Sequence, residues 1–106
     1  MKVFLLISTF LLSTLKAFVI QNNNGITNLA LAGNNISDLS LIESYNFLNS
    51  LDLSVNKIKD VRILGFFTDL SYLKLSFNQI EVIDPIQNLT KLIYLYLKEN
   101  INMLKF

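Results

Sequence analysis

From residue 25 onward the apolar and polar positions recur with a period of 22. Leu29, Leu51, Leu73 and Leu95 form one column, Leu31, Leu53, Leu75 and Leu97 a second, and Asn34, Asn56, Asn78 and Asn100 a third, with no insertion between units. The match continues through Ile36/Ile58/Ile80, Leu39/Val61/Ile83, Ile42/Leu64/Ile86, Tyr45/Phe67/Leu89 and Leu48/Leu70/Leu92. Self-similarity at a fixed period of this length indicates stacked structural units, none of which buries its apolar face alone. The units are 29–50, 51–72 and 73–94, with a partial fourth at 95–106.

The spacing predicts the elements inside each unit. Leu-x-Leu puts two apolar side chains on one face of a short strand and the residues between them on the other. After Ile58 the apolar positions fall every third residue: Val61, Leu64, Phe67, Leu70, Leu73. An α-helix turns through about 300° in three residues, so such a row would drift around it. A chain with about three residues per turn keeps the row on one edge. The return limb is therefore expected as 3₁₀ helix or extended coil, which also suits Pro85 and the extended geometry it imposes on Asp84. The asparagine column stands where the chain leaves the strand and backbone groups lose their ladder partners. A carboxamide at that point offers both acceptor and donors, so a stacked structural ladder of Asn34, Asn56, Asn78 and Asn100 is expected.

The first 20 residues follow a different pattern. Met1 and Lys2 precede an apolar run from Val3 to Leu15 broken only by hydroxyls, then Lys16, Ala17, Phe18, Val19 and Ile20. This is the outline of a secretory signal peptide or signal anchor, with Ala17 suited to the residue before a cut and Leu15 bulky for its place two positions earlier. The alternative is an apolar N-terminal cap over the open end of the stack. The run is short for a membrane span and Lys16 interrupts it, although it offers a means of membrane attachment. The sequons Asn35-Ile36-Ser37 and Asn88-Leu89-Thr90 fit export but are about as frequent as chance predicts.

Composition narrows the chemistry. The 106 residues contain no Cys, His or Trp, which excludes disulfides, Cys/His zinc sites, Cys nucleophiles and imidazole triads. Nine basic against eight acidic residues leave no electrostatic footprint for nucleic acid, and removing Lys2 and Lys16 would change the formal charge only from +1 to −1. Asp38, Asp60 and Asp84 have no second carboxylate at a catalytic spacing, and Gly25, Gly33 and Gly65, expected at turns, form no phosphate cradle. No enzyme and no cofactor is expected.

At the Leu-x-Leu-x-x-Asn-x-Ile units the sequence resembles the leucine-rich repeat family over residues 26–106. The constant 22-residue length, the run Asn34-Asn35-Ile36-Ser37-Asp38 and its counterpart Asn56-Lys57-Ile58-Lys59-Asp60 are similar to the short subclass found in bacterial internalins and in the nuclear regulatory subunit of type-1 protein phosphatase. Ile83-Asp84-Pro85-Ile86 followed by Asn88-Leu89-Thr90-Lys91-Leu92 is particularly similar to internalin phrasing. The resemblance implies an α/β fold: a right-handed solenoid with a short parallel sheet on its concave face, 3₁₀ or extended coil on its convex face, and a protein partner on the concave strands. The columns facing solvent place Tyr72, Lys74, Phe77, Tyr94, Tyr96, Lys98 and Asp52 as partner-binding candidates, because amphipathic aromatics supply contact area at little entropic cost. Asp52 and Lys74 are also expected to form an exposed cross-strand pair. Secreted or membrane-attached recognition is the leading expectation. A cytoplasmic regulatory or scaffolding subunit and a fragment of a larger repeat protein are the alternatives. The apolar tail Met103, Leu104, Phe106 suggests a cap, a truncated end, or self-association at the C-terminal end.

Overall fold

The computed structural model describes residues 2–3, 15–22 and 25–101. The Leu-x-Leu segments lie in a six-stranded sheet whose spatial order is the chain order. Strands β3 (Gly25–Ala30), β4 (Ser50–Asp52), β5 (Tyr72–Lys74) and β6 (Tyr94–Tyr96) are parallel neighbours. Leu29 pairs with Leu51, Leu51 with Leu73 and Leu73 with Leu95, so each step across the sheet is one 22-residue unit. The second leucine of each pair lies just beyond its strand but stays in the ladder. The amides of Leu31, Leu53 and Leu75 each donate to the next unit's carbonyl, at Asp52, Lys74 and Tyr96, over 2.8 Å.

Opposite the sheet run three short 3₁₀ helices, Leu39–Tyr45, Arg62–Phe66 and Asp84–Asn88. They bury the residues of the three-residue row, namely Leu39, Ile42, Leu64 and Ile86, and no α-helix occurs among the described residues. The first is capped by the Asp38 carboxylate, which accepts the Ser40 amide at 2.9 Å, and the third begins through Pro85, whose missing donor costs nothing there. Gly65, expected at a turn, lies instead within the second 3₁₀ helix, where a β-carbon would stand 3.1 Å from the Pro85 carbonyl oxygen of the next unit.

Between sheet and 3₁₀ limb each asparagine side chain joins successive units. Asn56 Oδ1 accepts the amides of Asn34 and Ile36, both at 2.9 Å, while its Nδ2 donates to the carbonyls of Leu31, Leu53 and Ser54. Asn78 accepts from Ile58 and donates to Leu53, Leu75 and Ser76; Asn100 accepts from Ile80 and donates to Leu75 and Leu97. These bonds satisfy backbone groups that the sheet no longer reaches. Asn34 has no preceding repeat. Its side chain instead accepts the Lys16 amide at 2.6 Å and donates to the Lys16 carbonyl at 2.8 Å.

The residue before each asparagine is left-handed: Gly33 at φ 71°, Val55 at 56°, Phe77 at 58° and Glu99 at 60°. Only the first unit uses glycine there.

The N-terminal side departs from an all-parallel sheet. β2 (Phe18–Asn22) pairs antiparallel with β3, and β1 (Lys2–Val3) pairs antiparallel with β2. Val19 faces Leu29 in this register and is fully buried, so it covers the first repeat as a preceding repeat would. The 22-residue period cannot reveal this strand, which stands outside the repeat and pairs in the opposite sense. The boundary drawn at residue 20 falls inside β2. Most of the apolar N-terminal run, including residues 4–14, and the tail from Asn102 to Phe106 lie outside the described residues. At the other end of the core the first leucine column is 2%, 0% and 0% exposed at Leu29, Leu51 and Leu73, and then 39% exposed at Leu95.

Candidate interaction surface

The parallel strands project alternate side chains away from the core, and these change character along the stack. Asn28 and Ala30 on β3 give way to Ser50 and Asp52 on β4, Tyr72 and Lys74 on β5, and Tyr94 and Tyr96 on β6. In-register pairing brings the aromatic side chains together. The Tyr72 ring centroid lies 5.9 Å from that of Tyr94 and 5.7 Å from that of Tyr96, tilted at 55° and 54°. Tilted rings at such separations attract through their quadrupoles and hold one another in place. The Lys74 ammonium sits 5.5 Å from the Tyr96 ring centroid, within cation–π range.

Asp52 is differently engaged. Its carboxylate accepts the Ser54 amide at 2.9 Å, and no Asp52–Lys74 ion pair forms. The expected cross-strand pair is thus replaced by two separate arrangements. A backbone N–H two residues away is a fixed local donor for the short aspartate, and the long lysine gains more from lying over an aromatic face. Ion pairs among the described residues lie elsewhere, at Arg62–Asp60 (2.6 Å) and Lys91–Asp69 (2.9 Å), both well exposed.

Phe77 and Lys98 stand at the C-terminal edge of this face. The Phe77 amide donates to the Lys98 carbonyl at 2.8 Å, Phe77 is 51% exposed, and Lys98 is exposed. Val55 occupies the same left-handed position one unit earlier and is 56% exposed. The columns flanking Leu-x-Leu did not single out Val55; its offset from Gly33, one period earlier, is the signal that finds it. Of the seven candidate residues the fold therefore gathers Tyr72, Lys74, Tyr94 and Tyr96 into one cluster, sets Phe77 and Lys98 at its edge, and fixes Asp52 on the neighbouring strand.

The 3₁₀ side is chemically quieter. The Arg62 guanidinium, then its backbone amide, hold the Asp60 carboxyl below the usual carboxylate range, and the Ser40 backbone and side chain do the same for Asp38. A shallow depression beside these residues is lined by Leu39, Ile63 and the exposed Phe66. No group of three or more His, Cys, Asp or Glu that could hold a metal ion occurs among the described residues. No helix among them is long and apolar enough to cross a membrane.

No protein-family model matches the chain, and no curated protein sequence matches it. Solved structures do. The chain is similar to an internalin from Listeria monocytogenes str. 4b F2365, with 35% sequence identity and a TM-score of 0.63 over 65% of this chain. The matched part spans 20% of the internalin's length. The likeness supports a leucine-rich repeat architecture.

Proposed function

We propose, on the strength of that shared architecture, that the protein is a non-catalytic recognition module that binds another protein through the strand face of a right-handed solenoid, with the parallel strands on its concave side. The observation that carries this reading is the tyrosine cluster. Tyr72, Tyr94 and Tyr96 are large amphipathic rings, partly exposed and already ordered by mutual contact, and such side chains dominate binding energy at interfaces. Lys74, Phe77, Lys98 and Asp52 complete the surface. Four strands about 4.8 Å apart make a platform about 15 Å long, so binding belongs at the weaker end of interface sizes.

Export to a secreted or surface-attached location fits residues 1–20, with Ala17 before the cut. A chain starting at Phe18 keeps all of β2 and the cover that Val19 gives the first repeat, and gives up β1 and the two backbone bonds that Lys16 makes to Asn34. Asn34, Asn56, Asn78 and Asn100 serve as the ladder that holds the units in step.

The test replaces Tyr72, Tyr94 and Tyr96 by alanine in the full chain and compares partner capture by cross-linking in the protein's native surroundings. Capture is expected to be lost while the circular dichroism spectrum and denaturation midpoint stay close to those of the parent. Undiminished capture by the triple variant would refute the strand-face reading.

A further inference from the structure

We infer that the segment seated on this face is an acidic peptide in extended conformation, one that places a carboxylate between Lys74 and Lys98 and an apolar side chain against Phe77. The inference deepens the strand-face reading above and rests on it.

The argument is one of unmet charge. Outward-facing positions of the four parallel strands and the residues just after them carry three formal charges, Asp52, Lys74 and Lys98. The Asp52 carboxylate is turned to the Ser54 amide. Neither lysine has a carboxylate within ion-pair distance among the described residues, whereas Arg62 and Lys91 on the opposite limb each have one. Lys74 is held over Tyr96, so part of its side-chain entropy is already lost before a ligand arrives. Lys98 lies two positions beyond Tyr96, the residue paired with Lys74, just past the end of the adjacent strand but still bonded to the Phe77 amide. Strand spacing and rise place the two α-carbons about 8 Å apart, near enough for both flexible stems to reach one oxyanion.

An apolar contact lies next to that charge. Phe77 is half exposed although its backbone is left-handed, a conformation that costs a bulky residue energy and that the first unit meets with glycine. Alternation along an extended peptide, with side chains on one face two residues apart, matches a carboxylate at the lysines followed by an apolar group at Phe77. The acidic groups that oppose such a ligand are Asp52 on β4 and the exposed Glu99 beside Lys98.

The experiment titrates the isotopically labelled full chain with three short peptides of otherwise identical sequence that carry Glu, Gln or Lys at one position and Phe two residues later, on the same face of the extended chain, and with a single-stranded oligonucleotide. The Glu peptide is expected to move the amide resonances of Lys74, Tyr96 and Lys98 and to weaken as salt is raised. Lys74→Met and Lys98→Met are each expected to reduce its affinity about two- to fivefold, and Asp52→Asn to raise it by a similar factor. Glu and Gln peptides binding equally at the tyrosines would overturn the acidic preference and leave the strand-face reading standing. Binding by none of the peptides, or tighter binding of the oligonucleotide at the same lysines, would also overturn the inference. The fate of the broader reading is then decided separately by the tyrosine variant.

Discussion

Val55 carries the clearest conflict between a residue and its place. A β-branched side chain at φ 56° is strained, because its β-carbon crowds the following carbonyl. Asparagine tolerates this conformation through its short polar side chain and avoids the flexibility that glycine adds to the unfolded chain. Val55→Asn is therefore expected to stabilise the protein by about 1 kcal/mol, measured as a rise in denaturation midpoint. An unchanged or lower midpoint would mean that the exposed valine makes contacts worth more than its strain. Of the four left-handed positions only Gly33 declares itself by residue type; Val55, Phe77 and Glu99 share its offset but not its chemistry, so the period carried forward from Gly33 is the one signal that points to them. The tyrosine cluster was legible as columns, since in-register pairing turns sequence columns into neighbours. The partner chosen by Lys74 was not, because a lysine between an aspartate and a tyrosine can turn either way and local hydrogen bonding decides.

At the scale of the element, the repeating asparagine and its turn form a unit that serves two coils at once. Asn78 is buried and its side chain meets one amide and three carbonyls, so Asn78→Ala leaves several groups without partners. The expected loss is about 3 kcal/mol by equilibrium unfolding, against less than about 1 kcal/mol for Asn34→Ala, whose site is more open to water. Similar losses at both positions would show that solvent does not replace the bonds made by the first rung. The 3₁₀ limbs follow from an apolar spacing of three, which is legible in any single unit. Pairing of β2 with β3 is not legible that way. It depends on Val19 finding Leu29 across a hairpin, a contact that no repeat predicts.

At the scale of the whole molecule, order is unequal along the stack. Leu95 loses the cover that Leu51 and Leu73 have, and its strand is exposed throughout. Stability in a one-dimensional array is carried by contacts between neighbours, so the last described unit should open first. Equivalent amides make the comparison direct. Lys57 donates to Ile36, Gln79 to Ile58 and Ile101 to Ile80, at 2.8, 2.9 and 3.0 Å. Hydrogen exchange at Ile101 is expected to be at least about tenfold faster than at Gln79, whereas equal protection would show the stack to open as one cooperative body. Gly65 has a consequence at this same scale. Hydrogen bonding pins the strand rim at a fixed pitch, so the angle between turns is left to whatever thickness the opposite rim has. Where Gly65 meets Pro85 that rim is as thin as bare backbone permits. Under the strand-face binding proposed above, the breadth of the opening is thus governed in part from the far side of the protein, by a residue that an incoming molecule need never touch.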